Sequence, residues 1–173
     1  MNQTPPVTLS FHFEKVPKPF TRGDRALILL KDLEGKFVLG CKNVYPQGIS
    51  RLPGGGLEAD EAPAQAASRE LKEELGIHRT PDDFAGGVTI LLDITSPSEE
   101  KNLSLFLFQT TQRPGEKLSP SDDLDGVIHL SLEEMHALVD RFYDLSDVDA
   151  PGWADYGKVY GRVHEIAASL SWT

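Results

Sequence analysis

Residues 55–77 read Gly55-Gly56-Leu57-Glu58-Ala59-Asp60-Glu61-Ala62-Pro63-Ala64-Gln65-Ala66-Ala67-Ser68-Arg69-Glu70-Leu71-Lys72-Glu73-Glu74-Leu75-Gly76-Ile77. Pro63 suits the first turn of a helix, where its missing N–H costs nothing. Asp60 and Glu61 stand just before it, where the helix dipole favours negative charge. Gly76 supplies a C-terminal stop. These signals predict one helix over 63–75, about three and a half turns long.

Projected at about 100° per residue, Ala64, Ala67, Leu71 and Leu75 fall on one stripe, the expected buried face. Glu70, Glu73 and Glu74 fall on its flank, and Ala66 lies within that acidic arc. Arg69, Lys72 and Gln65 lie on the other side. Glu70 pairs with Glu73 at i, i+3 and with Glu74 at i, i+4. Like charges at these spacings cost roughly 0.2–0.5 kcal/mol each on an open helix. Beside a buried face, desolvation worsens the repulsion. A Glu-rich run is by itself a solvated face. Here the acids border the apolar stripe, and the flexible turn Gly54-Gly55-Gly56 precedes them. A hard divalent cation would relieve the repulsion, since Mg²⁺ prefers carboxylate and water oxygens.

Gly55, Glu61, Arg69, Glu70, Leu71, Glu73, Glu74, Gly76 and Ile77 together resemble the Nudix box, G-x5-E-x7-R-E-U-x-E-E-x-G-U with U bulky aliphatic, and every fixed position matches. Leu52-Pro53-Gly54 also fits what usually precedes such a box. The resemblance implies an α/β (α+β) fold, a mixed β-sheet sandwiched between helices. It implies a hydrolase that cleaves the diphosphate bond of a nucleoside diphosphate linked to another group, by water attack on phosphorus, with Mg²⁺ or Mn²⁺ as cofactor. By position, Glu70, Glu73 and Glu74 would be the metal carboxylates, with Glu70 also activating water. The backbone carbonyl of Gly54 would be a further metal ligand. Arg69 would join the catalytic set and brace the loop-helix unit with Glu61. The charge logic agrees: metal ions neutralise an anionic diphosphate and lower the pKa of bound water.

Many members of that family use one more acid from a loop outside the box. Asp122, Asp123 and Asp125, in Ser119-Pro120-Ser121-Asp122-Asp123-Leu124-Asp125-Gly126, are the candidates. His129 stands where the family often has Trp, which blurs the register and leaves the three open. Glu99 and Glu100, in an expected hairpin loop, come second. Lys42 and Arg51 flank the box in sequence and are candidate substrate-binding residues, since basic residues thereabouts often touch phosphate in the family. Tyr45, Phe142, Trp153 and Tyr156 could stack on a base, with core packing as the plainer role.

With 173 residues, 39% hydrophobic and 25% charged, the chain reads as one globular domain over 1–173. Residues 1–23 form an N-terminal strand and linker, and the box spans 55–77. No apolar run approaches the ~18 residues of a membrane span, and Met1 to Thr8 is unlike a signal peptide. The lone Cys41 excludes an intrachain disulfide and a Cys-based zinc site. A cytoplasmic location follows as the default. The net charge of −10 argues against a nucleic-acid partner, which would want clustered Lys and Arg. The expected partner is a small-molecule nucleotide, with no membrane, and the chain a monomer or a homodimer, since the N-terminal strand could pair across a dimer.

Alternation at Val7, Leu9, Phe11 and Phe13 predicts a strand, and 15–23 a linker punctuated by Pro17 and Pro19. Residues 26–31 and 36–41 read as a hairpin around Asp32-Leu33-Glu34-Gly35. Further strands are expected over 88–93, 103–110 and 127–130, and helices over 132–143 and 153–170. The five histidines show no metal-ligand spacing.

Subfamily markers do not select a substrate. The downstream proline of ADP-ribose pyrophosphatases has no counterpart at Leu91-Leu92-Asp93, and the tyrosine of diadenosine polyphosphate hydrolases is absent there too. The NADH pyrophosphatase and coenzyme A motifs are missing. The resemblance leaves a nucleoside di- or triphosphate, or a nucleotide sugar such as ADP-ribose. The alternative class is a non-catalytic Nudix-fold nucleotide-binding or sensor module. Such modules usually lose box carboxylates, and this chain keeps all of them.

Overall fold

A computed structural model describes residues 4–121, 123–148 and 151–172. Its strands are β1 (Val7–His12), β2 (Arg25–Lys31), β3 (Phe37–Cys41), β4 (Gly54–Gly56), β5 (Ala85–Thr95), β6 (Glu100–Thr111) and β7 (Gly126–Leu130). Its helices are α1 (Pro63–Leu75), α2 (Leu132–Tyr143) and α3 (Trp153–Ser169). The strands form one mixed sheet in the order β1-β5-β6-β2-β3-β7, with β4 attached to β2. The pairs β1–β5 and β2–β6 are parallel and the others antiparallel.

β2 is central, and its sequence shows it. Arg25-Ala-Leu-Ile-Leu-Leu-Lys31 is an unbroken apolar run between two basic residues, as expected of a strand covered on both faces. Ala26, Ile28 and Leu30 point into a core shared with α1, through Ala66, Ala67, Leu71 and Leu75. Leu27 and Leu29 point into a larger core on the opposite face, beneath α2 and α3. β5 alternates instead: Val88, Ile90, Leu92 and Ile94 enter that larger core, while Leu91 is exposed. The sheet therefore lies between α1 on one side and the α2–α3 pair on the other.

One edge of β2 is shared by two partners. Leu30 and Lys31 pair with Val38 and Phe37 of β3. Arg25, Ala26 and Leu27 pair with Gly56, Gly55 and Gly54 of β4. The two partners diverge between these points. The segment leading from β3 to β4 is pinned to both: Gly40 and Arg51 exchange backbone hydrogen bonds at 2.8 and 3.0 Å, and the Ile28 N–H donates to Pro53 O at 2.8 Å. This fork positions the site described below.

The stretch 15–23 is more than a linker. Lys18–Thr21 forms a 3-10 turn, and Val16 and Phe20 are each 1% exposed. Phe20 fills the larger core, its ring 5.2 Å from that of Tyr160. The prolines that mark a linker here shape a plug. β5 and β6 run further than 88–93 and 103–110, because hairpin pairing extends them through the Gly86-Gly87 bulge and through Lys101-Asn102. β1 pairs with β5 of its own chain. His129, at the usual tryptophan position, has a structural partner: its Nδ1 lies 2.7 Å from Asp32 Oδ2. The other oxygen of Asp32 accepts from the Glu34 and Lys36 N–H groups at 2.9 Å and closes the β2–β3 turn. Among the described residues, no helix is long and apolar enough to cross a membrane.

Candidate active site

Helix α1 starts at Pro63, with the Gln65 side chain reaching back to accept from the Ala62 N–H at 3.0 Å. It ends at Gly76, whose φ of 68° is the left-handed value that favours glycine. Its buried residues are Ala66, Ala67, Leu71 and Leu75. Ala64 is half-buried and Ala66 fully buried, so the covered face is rotated toward the acidic arc relative to the helical-wheel expectation. The cause is β4, which packs against α1 and closes over that side.

This closure brings two glycines onto two glutamates. A Cβ built on Gly55 would sit 2.2 Å from Glu70 Oε1, so the Glu70 carboxylate occupies the room that a side chain on Gly55 would need. The Gly54 N–H donates to Glu74 Oε2 at 2.9 Å. Gly54 has no alternative residue: its φ is +139°, and a Cβ there would meet Ala26 O at 2.1 Å. Burial pushes the Glu74 carboxyl up to about 7; the Gly54 N–H opposes the shift, the Glu70 charge adds to it, and Lys42 and Arg51 oppose it.

Arg69 organises the rest of the arc. Its Nε and Nη2 grip Glu61 at 2.8 and 3.0 Å, and Nη2 also reaches Gly56 O at 3.0 Å. Its Nη1 touches both Glu70 Oε1, at 2.7 Å, and Glu73 Oε2, at 3.2 Å. The Glu61–Arg69 brace thus ties the glycine turn to the helix. Glu70 and Glu73 converge on one guanidinium nitrogen, and Glu74 turns toward Gly54. As a result, among the described residues no three of His, Cys, Asp and Glu gather closely enough to hold a metal as they stand. The donor set is nevertheless of the kind a hard cation takes: carboxylate oxygens beside a glycine cradle that leaves Glu70 its space.

A cavity of about 50 Å³ opens at the fork. Glu74 and Gly54 line it together with Lys42 and Arg51, the two basic residues singled out from sequence, and with Arg25. Arg51 is held from behind by α3. Its Nη2 donates to Tyr160 Oη at 2.5 Å, and its guanidinium lies 4.2, 5.5 and 5.7 Å from the ring centres of Tyr160, Tyr45 and Tyr156. One turn further along α3, His164 Nε2 accepts from the Leu52 N–H at 3.2 Å, while its Nδ1 lies 2.7 Å from Tyr160 O. The second contact requires a proton on Nδ1, so the neutral tautomer fits both. Burial drives the His164 pKa down to about 3, the Tyr160 carbonyl opposing and the Arg51 charge assisting.

The loop acids fare differently. The loop does meet the box helix: the Ser119 and Ser121 N–H groups donate to Leu75 O and Glu74 O, each at 2.9 Å. Asp125 is engaged elsewhere, its two oxygens accepting from the backbone and side-chain N–H groups of Asn43. Asp123 is exposed, and Asp122 lies outside the described residues. Glu99 pairs with Lys101 inside the β5–β6 turn, at 3.7 Å. Of the aromatic candidates, Phe142 and Tyr156 are core residues, and Tyr45 lines the cavity. Sequence reading missed Arg25, Tyr160 and His164. The i, i+4 spacing of Tyr156, Tyr160 and His164 was the available signal for the last two.

Comparison with known proteins identifies the family and the fold. The NUDIX domain family matches residues 21–160. The phosphatase NudJ of Escherichia coli (strain K12) is 43% identical over 51 residues, 30% of this chain and 33% of the relative; the match thus spans about a third of the curated relative's length. Among solved structures, the Nudix hydrolase RenU of M. smegmatis superposes with a TM-score of 0.56 at 18% identity, covering 88% of this chain and 89% of that one. A bifunctional NMN adenylyltransferase/ADP ribose pyrophosphatase from Francisella tularensis, complexed with AMP and a Mn ion, gives 0.53 at 21%, covering 83% and 42%. A C. elegans Ap4A hydrolase in a binary complex gives 0.51 at 20%, covering 85% and 100%. At these identities the likeness is one of fold.

Proposed function

The chain belongs to the NUDIX domain family, and from that premise we propose that it is a divalent-metal-dependent hydrolase of a diphosphate bond in a small nucleotide. Water adds to one phosphorus, the P–O bond to the bridging oxygen breaks, and two phosphate-bearing products leave. The observation that carries this reading is the seating of two box glutamates at the fork, Glu70 in the space under Gly55 and Glu74 on the Gly54 N–H, beside a cavity lined by basic residues.

Glu70, Glu73 and Glu74, with the Gly54 carbonyl, would hold the metal. When bound, Mg²⁺ or Mn²⁺ would supply charge neutralisation of the diphosphate and acidify a water. The chain's own groups do the rest. Glu70 takes the proton of the attacking water. Arg69 holds Glu70, Glu73 and the glycine turn in place. Lys42 and Arg51 bind phosphate oxygens. One of the loop acids Asp122, Asp123 and Asp125 would complete the site. Positioning and charge stabilisation supply most of the rate, as in other phosphoryl transfers.

The test is product release from a panel of nucleoside di- and triphosphates and ADP-ribose, with Mg²⁺ and with chelator, run in ¹⁸O-labelled water. Metal-dependent cleavage with label in one phosphate product supports the proposal. Tight binding of a nucleotide without cleavage would instead favour the non-catalytic module.

A further inference from the structure

Four buried side-chain polar atoms have no hydrogen-bond partner among the described residues: Arg25 Nε, Arg51 Nε, Ser121 Oγ and Tyr156 Oη. Arg25 and Arg51 line the fork cavity. Tyr156 faces the Arg51 guanidinium. Ser121 is tied through its backbone to Glu74. Buried polar groups are nearly always satisfied in native proteins, and an exception calls for a ligand or a strain explanation. Two of these exceptions, Arg25 Nε and Arg51 Nε, belong to arginines that line one cavity, and together they call for a polar ligand there.

Charge states which kind. Arg25 enters the cavity from the start of β2, Lys42 from just beyond β3, and Arg51 from the segment between β3 and β4. None of the three forms a close ion pair with a carboxylate among the described residues; the one carboxyl that shares the cavity is Glu74, on which the Lys42 and Arg51 charges act, in a chain of net charge −10. Arg69, by contrast, has Nε, Nη1 and Nη2 all engaged by Glu61, Glu70, Glu73 and Gly56 O, so it has little left to offer a substrate. Three convergent cations, two of them guanidinium forks, suit a phosphate oxygen cluster.

We infer that this cavity is a subsite for a free terminal phosphate, so that the substrate is a nucleoside polyphosphate rather than a nucleotide sugar or another doubly esterified diphosphate. A terminal phosphate carries roughly −1.5 to −2 charge at neutral pH and three peripheral oxygens. The internal phosphates of ADP-ribose each carry a single charge and two such oxygens. The three cations therefore discriminate in favour of the terminal group. Arg51, clamped by Tyr160 and flanked by Tyr45, is a pre-oriented donor, and its rigidity sharpens that discrimination. This inference rests on the hydrolase reading above for the location of the reacting phosphates.

The experiment compares ATP with ADP-ribose in wild type and Arg25→Gln. Arg25 is chosen because Arg51 is built into the aromatic packing and Lys42 is assigned above to the phosphates of either substrate. The expected wild-type kcat/KM favours ATP by about tenfold or more, and the variant should cut the ATP value about tenfold while cutting the ADP-ribose value far less. A wild-type preference for ADP-ribose, or equal losses on both substrates, overturns the subsite while leaving the hydrolase reading standing. If neither substrate is cleaved, the hydrolase reading fails, and the subsite is judged by inorganic triphosphate alone. In chelator, it should raise the melting temperature of wild type and raise that of Arg25→Gln less. An equal rise, or none, overturns the subsite.

Discussion

The Glu70 carboxylate fills the space that a side chain on Gly55 would occupy, its Oε1 2.2 Å from the ideal Cβ position. The atoms in the way are the far end of a flexible side chain, so they can move. Gly55→Ala should therefore fold, melting within about 1 kcal/mol of wild type, yet lose more than tenfold in kcat, about 1.4 kcal/mol of barrier, because Glu70 is pushed aside. Gly54→Ala should cost roughly 3 kcal/mol, from a strained φ and a clash with backbone. Thermal melts and rates for the pair separate the two effects. An active Gly55→Ala would refute the placement of Glu70 at the reacting centre.

Glu70→Gln and Glu74→Gln should each abolish most turnover and leave the fold intact. Gln at 74 can still accept from the Gly54 N–H, so the strand-helix contact survives while the charge is lost. The lost interaction is made in the transition state, so kcat should fall more than KM rises. Retention of more than about a tenth of wild-type activity in both variants, a deficit under ~1.4 kcal/mol, would show that the box glutamates are not the site.

Mg²⁺ or Mn²⁺ should raise the melting temperature before any nucleotide is added. Binding confined to the native form stabilises by RT ln(1 + [M]/Kd), about 2.7 kcal/mol at a hundredfold excess over Kd. The gain should shrink in Glu70→Gln. It should also shrink as the pH falls below about 7, where Glu74 takes a proton in competition with the metal. Absence of any shift at neutral pH would mean that metal arrives only with the nucleotide.

His164 should make stability depend on pH below the usual histidine range. Its folded pKa is about 3 against 6.5 for the free side chain. Between these values the unfolded chain binds a proton that the native state does not, so stability falls as the pH drops from 6.5 toward 3, by about 1.4 kcal/mol per unit. Above 6.5 the contribution is fully present. From pH 7 to 5, wild type should lose about 2 kcal/mol more than His164→Gln, which carries no titrating group there. Parallel urea titrations of the two proteins measure the difference, and equal losses would place His164 in contact with water.

The box helix was legible in sequence to its end residues, Pro63 and Leu75, because caps and periodicity are local signals. Lys42 and Arg51 could be picked out because they flank the box along the chain. What escaped depends on distant pairing. Ala66 is buried because β4 folds over it. Phe20 is core because Tyr160 packs against it from the far end of the chain. Arg51 meets Tyr160 across a separation of 109 residues, and Leu52 meets His164 across 112. Asp125 looked like a free loop acid because nothing local announces its hydrogen bonds to Asn43. In each case the deciding partner is fixed by sheet order and packing, which no window of sequence contains.

The divided edge of β2 separates two evolutionary freedoms. The glycine strand and its helix hang from one half of that edge, and the chain that carries Lys42 and Arg51 hangs from the other. Between Cys41 and Arg51 the chain leaves the sheet and returns to it, its ends fastened by the reciprocal Gly40–Arg51 bonds. A loop so anchored can be lengthened at small entropic cost, since closure grows only with the logarithm of length. Insertions there would reshape the mouth of the site while the glutamates stayed in register. A single scaffold can in this way exchange its choice of nucleotide without renegotiating its chemistry.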